Sequence, residues 1–132
     1  MSNGPTCPPK VLISGASVAG LTLAYWLSQF GSDVTVVERA SAVRSGGYPI
    51  DVRGSAIGVL EKMSLLPQVN AAHIDSRSMT FIDRNGDAVG SIPPCVVMGN
   101  EIGRDVELPR GALSELLYGA PDRAGASKTL RS

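Results

Sequence analysis

Val11-Leu12-Ile13-Ser14-Gly15-Ala16-Ser17-Val18-Ala19-Gly20 is a short apolar run that ends in a turn of small residues and opens onto a helical pattern. A second apolar run, Asp33 to Glu38, closes on an acid 18 residues beyond Gly20. Strand, small-residue turn, helix, strand and acid, in that order, are the parts of a dinucleotide-binding βαβ unit. The first strand delivers the chain to the turn, whose residues lack bulk so that backbone N–H groups can approach a pyrophosphate. The helix then points its N-terminus, with unpaired N–H groups and a partial positive charge, at the phosphates.

Glu38 stands near the spacing of about 20 residues at which a carboxylate reaches a ribose hydroxyl. A carboxylate there accepts from a free 2′-OH and repels a 2′-phosphate, which suits FAD or NAD better than NADP. The glycine pattern calls for Gly at position 17, and this chain has Ser17. The serine hydroxyl would either cap the helix or donate to a phosphate oxygen. The competing reading is a buried strand, a Gly turn and an amphipathic helix that bind nothing.

A chain of 132 residues bounds the answer at one domain with a modest core. Hydrophobic residues at 43% and charged residues at 18% fit a globular α/β chain rather than a disordered one. Twelve basic and twelve acidic residues cancel, so nothing argues for nucleic acid or an anionic membrane as partner. No apolar run approaches the roughly 18–20 residues of a membrane span. Met1 to Pro9 lacks the basic start and apolar core of a signal peptide, so a cytoplasmic location is expected. Cys7 and Cys95 are too few and too distant for a disulfide framework or a metal site. His73, the only histidine, leaves both an imidazole-rich zinc site and a Ser-His-Asp triad short of parts, and it reads as a loop or helix-end residue. No metal is expected.

Outward from the opening motif, the pattern predicts a strand over Lys10 to Ser14, a helix from about Val18 to Phe30 stopped by Gly31, and a strand over Asp33 to Glu38. Ala40 to Pro49 is a Ser/Gly-rich loop. Tyr48 to Gly54 follows as a short extended piece, then a helix from about Ser55 to Met63 with Pro67 beyond its end. Met79 to Ile92 reads as a β-hairpin with Asn85-Gly86 in its turn. An extended piece around Val106-Glu107-Leu108 leads into a helix from near Gly111, with Leu113, Leu116, Leu117 and Tyr118 as its stripe. Pro121 to Ser132 has no periodicity and one large apolar residue, Leu130, which predicts a disordered tail. The expected organisation is a flexible leader over 1–9, an ordered part over 10–119 and a tail over 120–132.

Four motifs then carry a family resemblance: Gly15-Ala16-Ser17-Val18-Ala19-Gly20, Val36-Val37-Glu38-Arg39, Gly46 to Gly54, and Leu108-Pro109-Arg110. Together they resemble the N-terminal third of the FAD-dependent aromatic-ring monooxygenases, the para-hydroxybenzoate hydroxylase group that also includes tetracycline-modifying flavoenzymes. The resemblance implies an α/β fold, a Rossmann-like FAD-binding βαβ core with an antiparallel β-hairpin insertion, here truncated. It implies that Gly15, Ser17, Val18, Ala19 and Gly20 line the FAD pyrophosphate, that Glu38 holds the adenosine ribose, and that Arg39 lies at the adenine end. Gly47 would lie near the flavin, where a missing side chain lets backbone approach a flat ring. Asp51 and Arg53 would face the flavin and substrate cleft, their alternative being a local ion pair on one strand face. Arg110 would reach the FAD phosphates or ribityl chain, since a guanidinium stays charged and offers its donors in a fork.

By the same resemblance, NAD(P)H reduces the flavin and one oxygen atom of O2 enters a small aromatic or polyketide-like substrate. The flavin carries that chemistry, so no residue need be an acid, base or nucleophile, and no catalytic residue is assigned. The family's later Gly-Asp motif and substrate-covering sheet have no counterpart before Ser132. The change of character after Ala120 therefore reads as a frameshifted or prematurely ended frame, with a missing or separately encoded C-terminal segment as partner. Two rivals stand beside this reading, a stand-alone NAD(H)-binding Rossmann module and an inactive remnant.

Overall fold

The computed structural model describes residues 7–43, 46–74, 78–93, 105–123 and 127–130, the parts beyond residue 120 as backbone. Within them the chain forms β1 (Lys10–Ser14), α1 (Val18–Gln29), β2 (Asp33–Glu38), β3 (Pro49–Val52), α2 (Ser55–Lys62), α3 (Leu66–Ala71), β4 (Met79–Ile82), β5 (Ala88–Ile92), β6 (Val106–Pro109), α4 (Arg110–Arg123) and β7 (Ser127–Leu130). The first six residues of the leader and Cys95 lie outside the described residues. The chain divides into two units, one of residues 1–47 and 110–132, the other of residues 48–109.

In the first unit β1 and β2 pair in parallel, from Lys10 opposite Asp33 to Ser14 opposite Val37. Neighbouring parallel strands need a crossover, and α1 supplies it. Ile13, Val34 and Val36 are buried in the sheet, and Leu21 and Ala24 are fully buried on the helix. The helix ends as predicted, with Gly31 at φ 83°. Its N–H donates to the Ser28 carbonyl and that of Ser32 to the Leu27 carbonyl, both at 3.0 Å. This Schellman pair satisfies carbonyls the helix would otherwise leave open, and only glycine takes that backbone angle cheaply. Helix α4 packs against α1 and buries Leu113, Leu117 and Ala120.

The tail departs from its expected disorder. Helix α4 runs three residues past Ala120, and β7 pairs in parallel with β2, Thr35 opposite Ser127 through Glu38 opposite Leu130. The sheet order is β1-β2-β7. The physical reason is that an open strand edge recruits backbone N–H and C=O groups, not side chains. A polar segment without apolar periodicity can therefore add to the edge of β2.

The second unit joins β3 and β6 antiparallel, from Pro49 opposite Pro109 to Val52 opposite Val106. Its core is Val52, Leu60, Met63, Leu65, Val69, Val106 and Leu108. Pro67 lies beyond the end of α2, as expected, and sits in the first turn of the unforeseen α3. A missing N–H costs nothing there. The predicted hairpin is present as β4 and β5. Its loop depends on more than Asn85-Gly86: the Asp83 carboxylate accepts the N–H of Asn85 at 2.8 Å and of Asp87 at 2.9 Å. Those bonds, Asp87 first, hold the Asp83 carboxyl below its ordinary value of 3.8.

Candidate nucleotide site

At the C-terminal ends of β1 and β2, where parallel sheets place their ligands, lies a cavity of about 220 Å³. It is lined by Ala16, Ser17, Glu38, Arg39, Arg110 and Ser114, with small residues of the 40–46 loop. A drug-sized ligand site spans roughly 300–1,000 Å³. This cavity therefore fits one polar portion of a dinucleotide, such as a pyrophosphate with its ribose.

Glu38 does structural work at the rim. Its Oε2 accepts the Ala16 N–H at 2.9 Å and its Oε1 accepts the Ala40 N–H at 3.0 Å. The bond from Ala40, then that from Ala16, hold the carboxyl below its ordinary 4.5, against a small opposing effect of burial; Arg39 adds to the lowering. The Gly15 N–H donates to the Val37 carbonyl at 2.7 Å. Two N–H groups of the turn are thus used within the protein. The donors left for a ligand are those of the first turn of α1, because Leu21 is the first residue whose N–H reaches a helical acceptor, the Ser17 carbonyl at 2.9 Å.

Two glycines shape this turn for different reasons. Gly15 has φ 112°, a backbone conformation closed to other residues without strain. Gly20 is bound by space: a Cβ there would run into the Gly15 carbonyl oxygen. Ser17, at the N-cap, has φ −96° and ψ 176°, ordinary extended backbone, and its side chain makes no capping bond. Of the two uses open to its hydroxyl, the helix cap is absent.

Arg110 opens α4 directly after β6, so its guanidinium sits at the positive end of a helix, where a cation is unfavourable without an anion. Among the described residues it has no ion-pair partner. Gly47, at φ 136°, lies against its aliphatic stem: a Cβ on Gly47 would stand 3.5 Å from the Arg110 Cβ. The buried Ser114 donates its hydroxyl to the Arg110 carbonyl at 3.0 Å and pins the same turn. Arg39 is exposed at the end of β2.

Asp51 and Arg53 belong to the second unit and are occupied with each other. Arg53 Nη2 meets Asp51 Oδ2 at 2.8 Å, and its Nε meets Asp105 Oδ2 at 3.3 Å. Asp51 stands opposite Glu107 across the strands. Like charges facing each other repel, and the guanidinium offsets this. The local ion pair is therefore present, in a form that also takes in Asp105. Sequence reasoning missed Ala16 and Ala40 as partners of Glu38, and Ser114 behind Arg110. The first two act through backbone N–H, which leaves no side-chain signal. Among the described residues no three His, Cys, Asp or Glu side chains gather to hold a metal ion, and no helix is long and apolar enough to cross a membrane.

Comparison with known proteins bears on the family and the fold. Residues 10–76 match the family described as pyridine nucleotide-disulphide oxidoreductase. An uncharacterised protein of Mycobacterium tuberculosis is 45% identical over 83% of this chain and 30% of its own length. An FAD-dependent monooxygenase, asL4 of Sarocladium schorii, is 37% identical over 87% of this chain and 28% of that protein. The crystal structure of the tetracycline destructase Tet(51) superposes with a TM-score of 0.77 at 26% identity, over 94% of this chain and 30% of that one. The chain thus spans about a third of the length of the relatives it matches. The fold class and the flavin-monooxygenase resemblance drawn from the four motifs agree with these likenesses.

Proposed function

The chain belongs to the pyridine nucleotide-disulphide oxidoreductase family, and from that premise we propose that it is the FAD-binding portion of a flavin-dependent monooxygenase. The observation that carries the reading is Arg110, a cation with no ion-pair partner among the described residues, lining one cavity with the N-terminus of α1. Two positive helix ends and a guanidinium around one small cavity suit a pyrophosphate. Glu38 suits the adenosine ribose, because each carboxylate oxygen keeps a lone pair beyond its backbone bond. Gly15 and Gly20 keep the turn open, Val18 and Ala19 supply backbone donors, and Gly47 steadies Arg110. Arg39 lies at the adenine end of this arrangement.

FAD, when bound, would supply the redox and oxygen-transfer chemistry, and NAD(P)H is the electron source this reading assigns. The part of the residues named here is to bind and orient. A small aromatic or polyketide-like substrate, a cytoplasmic location and a further C-terminal segment as partner go with this reading.

Titration of the purified chain with FAD, followed by flavin fluorescence and with NADH as the control ligand, tests the proposal. Saturable FAD binding that weakens at least about tenfold in Arg110→Ala, as expected for loss of a charge-assisted bond, is the expected result. Saturation by NADH without FAD binding would favour the nicotinamide-binding rival. Binding of neither by a folded chain would favour the inactive remnant.

A further inference from the structure

We propose that Ser114 is a specificity-determining residue of the nucleotide cavity, an acceptor for a sugar hydroxyl of the cofactor; this rests on the nucleotide reading above. Among the described residues Ser114 is the one buried polar side chain, 7% exposed. It lines the same cavity as Glu38, Arg39 and Arg110. A hydroxyl inside a helix can bond the carbonyl four residues back, and Ser114 does so, donating to the Arg110 carbonyl at 3.0 Å. That bond uses the only proton the side chain has. The oxygen keeps lone pairs, so a group that meets it from the cavity must be a donor.

The helix itself does not ask for a serine. In a regular α-helix the Arg110 carbonyl takes the N–H of residue 114, so the hydroxyl is a second donor to an acceptor already served. Alanine would fill the place with better helix propensity. What serine adds is an oxygen in the cavity lining. Glu38 in the same lining is also an acceptor, with lone pairs left beyond the Ala16 and Ala40 N–H groups it holds. Arg39 and Arg110 are the cationic donors. The cavity thus combines guanidinium groups, which suit phosphate oxygens, with acceptors, which suit hydroxyls. A phosphate oxygen without a proton has nothing to donate to Ser114, whereas a sugar hydroxyl does. Ribose and ribityl hydroxyls share this chemistry.

The test is to titrate the 132-residue chain, Ser114→Ala and Ser114→Cys with FAD and with ADP, and to repeat the FAD titration in Arg110→Ala with and without Ser114→Ala. Alanine suits a helix interior, and cysteine keeps the bulk of the side chain while accepting hydrogen bonds only weakly. Thermal melts show that each variant is folded. Both Ser114 variants are expected to bind FAD about fivefold more weakly, the loss of one neutral hydrogen bond. A matching loss for ADP assigns the hydroxyl to the ribose, and a loss for FAD alone assigns it to the ribityl chain. About the same factor should separate Arg110→Ala from the double variant. Unchanged FAD affinity in both Ser114 variants would overturn the proposal. So would a loss that vanishes in the Arg110→Ala background, because Ser114 would then act only by holding the arginine. Failure of the unsubstituted chain to bind FAD or ADP would overturn the nucleotide reading itself.

Discussion

Gly20 and Gly119 show how differently one residue type is constrained in this chain. A Cβ on Gly20 meets the carbonyl of Gly15, a backbone atom that cannot swing away, whereas a Cβ on Gly119 meets nothing within 4 Å. Gly20→Ala is therefore expected to lower stability by about 1–3 kcal/mol, the range for overpacking. Gly119→Ala, within a helix, should raise it by up to about 1 kcal/mol. Urea unfolding of the two variants beside the parent measures both, and a neutral Gly20→Ala would mean that the turn is looser than described. The pattern Gly15-x-x-x-x-Gly20 was legible in the sequence, since both positions follow from the motif. The reasons were not. Positive φ at one and contact at the other are three-dimensional facts that the same letter conceals.

Elements are joined here by a side chain that reads, in sequence, only as a ligand. Glu38 ends β2 and ties it to the β1–α1 turn through Ala16 and to the following loop through Ala40. Its carboxyl titrates below its ordinary 4.5 in the folded chain. A depressed folded value means the tie contributes fully above the unfolded value and is lost as pH falls through the folded one. Thermal midpoints should thus hold near neutrality and decline below about pH 4.5, with Asp83 adding a decline from 3.8 downward. In Glu38→Gln the acid-side decline should be shallower, and an identical profile would show that the tie does not matter to folding. The βαβ start, the hairpin and the helix from Arg110 were readable because period and punctuation agree there. Strand β7 was not, because edge pairing is a property of the strand it joins.

At the scale of the whole molecule, the described residues leave several large apolar side chains exposed. Leu12, Leu23 and Phe30 in the first unit are exposed, Phe30 to 79%, as are Met79, Phe81, Ile82 and Val89 in the second. Scattered apolar side chains are ordinary, but a two-stranded hairpin apolar along both strands is not stable by itself in water. The 132-residue chain by itself is expected to self-associate with rising concentration, and Val89→Lys with Phe30→Lys should reduce this. Light scattering across a dilution series checks it, and a monodisperse monomer at every concentration would refute it. The carboxylate tie at Glu38 has another consequence for such a chain. Because Ala16 and Ala40 are already fastened to it, the turn is held in one shape by the protein itself. The entropy of ordering that loop is lost during folding and not again at capture. On the proposed FAD reading, a cofactor would then leave and return without the site collapsing behind it.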